Sequence, residues 1–378
     1  MKTRWKWILM LLVFILGALA LGVWIFLKSS QFGALPEGRR LERMQQSPQY
    51  ADGIFHNTLP TPLMTDGKST ITALLQSFFM KKDNTIPPSP VPTVKTALKS
   101  LDRNTDTVIW LGHSSFFIQL GGQRILIDPV LSDHAAPVSF STRAFLGSNP
   151  YTVEDLPNID VLLISHDHWD HLDYPTLTAL RPKIGQIICG LGVGAHLQRW
   201  GFSPSSIYEG DWGERVTLGS LSIYLTPARH FSGRSLTRNK SLWLGFVLET
   251  AQRRLFYSGD SGYSPHFAEL GKQFGTFDLV LLECGQYDKA WNLIHMMPEE
   301  TAKAADDLHA KRLLPAHSGK FSIAYHAWDE PYKRLTAASL GKKWQLATPM
   351  IGEPLVFDTA QAMNAKTAPE WWEHMRSQ

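Results

Sequence analysis

The sequence predicts a layered α/β domain carried behind a single N-terminal transmembrane helix. Three features of the chain predict it. A 21-residue run without a charge, Trp7 to Leu27, stands near the N-terminus. From about Thr107 onward, short apolar runs of strand length follow one another. Helical patterns separate several of those runs, the arrangement that layers helices over sheets.

As a helix, the charge-free run spans about 31 Å at 1.5 Å per residue, enough to cross a bilayer. Lys2, Arg4 and Lys6 precede it and Lys28 follows, with Arg39, Arg40 and Arg43 farther on. The positive-inside rule then favours an inside N-terminus, which leaves the rest of the chain on the non-cytoplasmic, periplasmic side. A signal peptide cut after Ala20 is the competing reading, because Ala18-Leu19-Ala20 fits a small-residue cleavage site. The apolar continuation from Leu21 to Leu27 favours a retained anchor. Residues 28–105 mix polar, proline-rich and short apolar pieces. Thr72 to Met80 reads as a short amphipathic helix, with Phe78 and Phe79 packing on the neighbouring domain. Pro87-Pro88-Ser89-Pro90-Val91-Pro92 imposes extended backbone suited to a linker.

The β-rich part opens with Val108 to Leu111 and Ser115 to Leu120. Gly121-Gly122 turns the chain into Arg124 to Ile127 as a hairpin. Further strands are expected at Val161–Ser165, Ile184–Cys189, Leu221–Thr226, Leu242–Leu248, Leu255–Ser258, Leu279–Leu282 and Arg312–Leu314. Pro298 to Ala310 reads as a helix, since Pro at its first turn is followed by Glu299 and Glu300. A net charge of +3 on 378 residues does not point to nucleic acid, and no such partner is expected. Cys189 and Cys284 sit in or beside apolar runs and read as core thiols, too few for a disulfide framework.

The chemistry concentrates where strands run out. Val161–Ser165 ends in His166-Asp167-His168-Trp169-Asp170-His171, three imidazoles and two carboxylates in six residues. Such a run makes little sense inside a strand but converges on one small volume as a loop past a strand end. Neutral imidazole and carboxylate are ligands that zinc takes. Leu221–Thr226 runs out at Pro227-Ala228-Arg229-His230, Leu255–Ser258 at Gly259-Asp260, and Arg312–Leu314 at Pro315-Ala316-His317. Candidate ligands therefore follow four separate strand ends, and a metal-dependent enzyme is the expectation.

In this order, the set resembles the metallo-β-lactamase superfamily, with its His-x-His-x-Asp-His motif followed by a His, an Asp and a His. The resemblance implies an αββα sandwich with two metals at one edge. It assigns His166, His168 and His230 to the first metal and Asp170, His171 and His317 to the second, with Asp260 bridging. Asp167 is not a ligand on this pattern, and Asp128 matches an early aspartate that orients ligands. Within the superfamily, several stretches are similar to N-acylphosphatidylethanolamine-hydrolysing phospholipase D and its bacterial relatives. They include Trp110-Leu111-Gly112-His113-Ser114-Ser115, Leu126-Ile127-Asp128-Pro129, Gly259-Asp260-Ser261-Gly262-Tyr263 and His295-Met296-Met297-Pro298-Glu299-Glu300. The likeness covers roughly residues 100–355. The N-terminal span and Ser318-Gly319 after His317, where that pattern carries Trp-Gly, depart from it.

The resemblance implies a phosphodiesterase of phospholipase D type acting on phospholipid, at a membrane reached through the N-terminal helix. A lactonase or esterase using the same metals is the alternative, and a non-enzymatic, metal-stabilised envelope protein a third reading. Zinc follows from ligand type, while manganese or iron also accept such donors. Asp170, Asp260 and His295 are the residues expected to act in the reaction, His295 as a phosphate-side contact. Arg229, Arg234, Arg238 and Lys240 form either a phosphate-recognition loop or a solvated charged loop. His113 reads as a structural histidine that alternatively faces the pocket. Tyr287 and Trp291 line an acyl groove or pack in the core. The chain divides into an anchor at 1–30, an extension and linker at 31–105, the hydrolase domain at 106–355 and a tail at 356–378.

Overall fold

The computed structural model describes residues 2–67, Thr72, 83–357 and 370–375. Beyond Thr72, the helix expected at Thr72–Met80, with Phe78 and Phe79, lies outside the described residues. The apolar run forms helix α1, Lys2–Leu27. Its Arg4–Leu27 part has a mean hydropathy of 2.8 and none of it is buried, so it is a candidate membrane span or signal sequence. Just past its end, Phe32 packs edge-on against Phe26 and against Trp169, both at 5.2 Å. A small hairpin of β1 (Tyr50–Ala51) and β2 (Ile54–Phe55) follows.

Two seven-stranded sheets make the domain. The first contains β3 (Thr107–Trp110), β4 (Phe116–Leu120), β5 (Gln123–Ile127), β6 (Ile159–Ile164), β7 (Ile184–Gly190) and β8 (Ile207–Gly210) in that order, with β16 (Pro354–Val356) outside β3. The second runs β15 (Gln345–Leu346), β14 (Arg312–Ala316), β13 (Leu279–Glu283), β12 (Arg254–Tyr257), β11 (Gly245–Glu249), β10 (Leu221–Thr226) and β9 (Arg215–Leu218). Each sheet is antiparallel at one side and parallel at the other. The β4–β5 turn is the one the glycine pair predicts: Gly121 and Gly122 take φ of 56° and 77°, and Leu120 pairs with Gln123.

Strand alternation sorts the core into three layers. Phe116, Ile118, Ile125, Ile127, Val161 and Leu163 point from the first sheet toward Leu221, Ile223, Leu225, Phe246 and Leu281 of the second. The intervening residues Phe117, Leu126, Leu162 and Ile164 pack outward on the helices Tyr174–Leu180 and Gly194–Arg199. On the far side, Phe256, Val280 and Leu282 pack on the helices His266–Phe274, Pro298–Asp307 and Glu330–Ser339. The fold is the αββα metallo-β-lactamase sandwich that the resemblance implies.

Several details differ from the sequence expectation. The strand expected at Leu242–Leu248 begins only at Gly245. Leu242 and Leu244 instead donate their N–H groups across to Leu191 and Ser165, tying the two sheets together at the site edge. The proline-rich stretch lies along the domain, with Val91 in the central core and its N–H donating to the Leu146 carbonyl. From the segment 356–378, Phe357, Trp371 and Trp372 join the same core. Cys189 and Cys284 are buried free thiols.

Candidate metal centre

Strand direction puts the chemistry in one place. β3, β5 and β6 run the same way in the first sheet, as do β10, β12, β13 and β14 in the second. Their C-terminal ends deliver His113, Asp128, the His166–His171 loop, His230, Asp260, Glu283 and His317. His113, Asp128 and His317 hold left-handed backbone, with φ of 53°, 40° and 63°. Residues other than glycine adopt that region at a cost of about 1–3 kcal/mol, and it recurs where a site fixes the side chain.

The side chains form overlapping groups. In one, His166, His168, His230 and Asp260 place a donor atom each within 4.8 Å of one another. His166 Nε2 lies 2.9 Å and His230 Nε2 3.3 Å from His168 Nδ1. A second comprises His113, Asp170, His171 and His317. Asp260 faces both sets, its Oδ2 at 3.8 Å from His166 and His230 Nε2, 3.2 Å from His171 Nε2 and 3.1 Å from His317 Nε2. Asp170 Oδ2 is 3.1 Å from His317 Nε2 and 3.7 Å from His171 Nε2. All seven residues expected to converge do so.

Neighbours aim these rings. Asp128 Oδ2 accepts from His171 Nδ1 at 2.8 Å, and its carboxylate also takes the Ser165 N–H and the Tyr257 hydroxyl. His171 is thereby left with Nε2 facing Asp260. His230 donates Nδ1–H to the Ile294 carbonyl at 2.9 Å, which leaves its Nε2 free as a donor atom. Asp167 is pinned away by the Gly233 N–H and the Ser241 hydroxyl, in line with its exclusion from the ligand set. Substituting Asp128→Asn is expected to lower metal affinity by about 10–100-fold. Competition with a chelator reads this out, and an unchanged affinity would contradict the orienting role.

The donor set fits cations. His171 Nε2 and Asp260 Oδ1 are buried without a hydrogen-bond partner, and such orphans ask for a ligand. Burial holds His166 and His230 well below the ordinary imidazole range, and His168 down to about 4, so all three present lone pairs at neutral pH. His171 goes the other way. Burial opposes its charge, but Asp260, Asp170 and Asp128 carry it well above the usual range. A cation held between these carboxylates would compete with that proton. The fold thus carries His/Asp clusters able to hold metal ions.

Other positions depart from the sequence reading. His113, read first as structural, places Nε2 2.9 Å from Asp170 Oδ2, and its buried Nδ1 has no partner. Glu283 was not singled out, although it ends a strand as the ligands do. Its Oε2 lies 3.0 Å from His295 Nδ1 and accepts from the Ser261 N–H. His295 stacks on His317 with ring centroids 5.1 Å apart. The basic loop is neither a free phosphate arm nor solvated throughout. Arg229 holds the Pro60 and Tyr263 carbonyls, Lys240 holds Gly53, and Arg234 is buried over Trp169. Only Arg238 of the four is exposed. Tyr287 packs on His326 and bonds Glu330, as a core residue does.

Comparison with known proteins follows the same geometry. Residues 123–318, which include every site residue named above except His113, match the family described as the beta-lactamase superfamily domain. An uncharacterized protein of Mycobacterium tuberculosis is 36% identical over 313 residues, 82% of this chain and 84% of that protein. N-acyl-phosphatidylethanolamine-hydrolyzing phospholipase D 1 of Caenorhabditis elegans is 31% identical over 228 residues, 57% of this chain and 64% of its own. Among solved structures, the metallo hydrolase Igni18 of Ignicoccus hospitalis superposes with a TM-score of 0.53 at 21% identity, covering 68% of this chain and 99% of that one.

Proposed function

The chain belongs to the beta-lactamase superfamily, and on that premise we propose that it is a binuclear phosphodiesterase of phospholipase D type acting on N-acylphosphatidylethanolamine-like phospholipid. The observation that carries the reading is one carboxylate, Asp260, set between two imidazole-bearing groups at strand ends. The named relative from Caenorhabditis elegans supports the choice of substrate. His166, His168 and His230 would hold one cation, and Asp170, His171 and His317 the other, with Asp260 shared. Zinc suits the mixed imidazole and carboxylate donors, and manganese or iron accept them.

Two divalent cations held there would supply Lewis acidity toward a phosphoryl oxygen and would lower the proton affinity of water. The chain's own residues provide the rest. Asp260 keeps its negative charge: burial opposes it, but His171 and His317 hold it well below the usual carboxylate range. Hydrolysis adds a water oxygen to phosphorus and breaks the bond to the alcohol oxygen, which then needs a proton. Glu283, pushed up by burial and by the Asp260 charge, and His295, pushed down by burial, face each other across a 3.0 Å hydrogen bond. With Glu283 protonated and donating to Nδ1, the neutral imidazole carries its proton on Nε2 and would give it to the leaving oxygen as the Glu283 proton passes to Nδ1. The α1 helix would keep the domain at a membrane, on the periplasmic side.

The test is turnover by full-length protein of N-acylphosphatidylethanolamine in mixed micelles, beside a lactone of similar chain length. Release of a phosphatidic-acid-type product, abolished by His168→Ala, is expected. Lactone turnover without diester cleavage would shift the reading to a lactonase. No turnover of either by protein carrying two metals would shift it to a scaffold.

A further inference from the structure

We propose that the cavity at the foot of helix α1 binds the phosphate headgroup of an anionic phospholipid from the same leaflet, at a site separate from the metal centre. The cavity holds about 580 Å³, within the range that accommodates small organic ligands. Trp24, Leu27 and Lys28 line it from the end of the helix, and Arg199, Arg234 and Leu236 from the domain. If α1 is retained in a bilayer, Lys28 marks the interface, and the cavity opens at headgroup level. This inference rests on that reading of the helix and is independent of the reaction at the metals.

Arg234 supplies the observation that points to a ligand. Its side chain is 3% exposed, yet Nη2 is buried without a hydrogen-bond partner among the described residues. The other nitrogens are used: Nε donates to the Gln31 carbonyl at 2.7 Å and Nη1 to the Asp167 carbonyl at 3.2 Å. The guanidinium lies 3.9 Å over the Trp169 ring, which fixes it in place. Arg234 lines the cavity, and its buried, unpartnered N–H is a donor lacking an acceptor, a role that an anionic oxygen fills. Arg199 gives one N–H to the Lys28 carbonyl at 3.0 Å, and its charge stays at the rim. Lys240 also lines the cavity, so four basic side chains stand against two carboxylates, Glu37 and Asp167. The Asp167 carboxylate is engaged by Gly233, Ser241 and His196, and Nη2 makes no hydrogen bond to it.

The apolar side of the site favours a lipid over free phosphate. Leu236 is 83% exposed on a loop that lines the cavity, with Trp24 exposed and Leu27 half-buried at the end of the helix. Phe140, 82% exposed, lies in a loop that meets the same end of the helix through the Gln31 side chain on the Pro137 carbonyl. Two large apolar side chains beside a candidate span suit acyl chains, while the basic set suits the phosphate.

Native mass spectrometry of the full-length protein in detergent, with equal phosphatidylglycerol and phosphatidylcholine, tests this. One phosphatidylglycerol per chain is expected, preferred about thirtyfold, the order that two basic side chains near a membrane supply. Lys28→Ala with Arg199→Ala should bring the preference to parity. Ser235→Trp, which fills the cavity without altering its charge, should remove the bound lipid. His168→Ala, which disables only the metal centre, should retain it. Equal retention of both lipids, or retention by the filled variant, would overturn the proposal. So would loss of lipid on His168→Ala, displacement by millimolar inorganic phosphate, or an intact mass lacking the helix.

Discussion

Asp260→Asn is expected to lower kcat/KM on the order of 10³-fold and to remove at least one metal equivalent. The side chain keeps its shape and loses only its charge and its second acceptor oxygen. Four imidazole nitrogens surround its Oδ2 within 3.8 Å, two from each candidate cation position. No other described carboxylate sits between both sets, so none can substitute. A metal's stabilisation of transition-state charge is several kcal/mol, and each 1.36 kcal/mol is tenfold in rate. Steady-state turnover with metal analysis of the same preparation measures both effects. Activity within tenfold of the parent, with two metals still bound, would refute the shared carboxylate.

His295→Gln should cost about 10²–10⁴-fold in kcat, the usual worth of a positioned proton donor, with both metals retained. A leaving group that departs without a proton provides the decisive contrast. Toward a 4-nitrophenyl phosphodiester the deficit should shrink to a small factor, because nitrophenolate needs no acid. Glu283→Gln should follow the same pattern more weakly, since an amide can still bond Nδ1 but has no proton to pass on. Equal deficits for both leaving groups would assign His295 to binding or packing instead.

Much of the site was legible because strands deliver it. Val161 to Ser165, Leu221 to Thr226 and Leu255 to Ser258 are dense apolar runs, and a histidine or aspartate just past such a run has one natural destination. His113 and Glu283 stand in the same relation to β3 and β13. They were undervalued because a single His or Glu gives no pattern within its own stretch of sequence. Their roles rest on partners 57 and 12 residues away, Asp170 and His295. The basic loop was ambiguous for the opposite reason: charge alone suits a phosphate-recognition loop or a solvated one, and neither reading announces the buried seat that Trp169 and the Gln31 carbonyl supply for Arg234. The fold's edges were illegible on physical grounds. β9 is four residues long and alternates exposed with half-buried residues, and β15 and β16 are two and three residues long. Such strands exist because a neighbour offers hydrogen bonds, which no local run announces.

The central claim is that two cations lie on either side of Asp260. A crystal structure of metal-loaded protein, with anomalous diffraction at the metal edge, tests it most directly. Two peaks are expected about 3.5–4 Å apart, one beside His166, His168 and His230 and one beside Asp170, His171 and His317. A single peak, or peaks away from Asp260, would contradict the account.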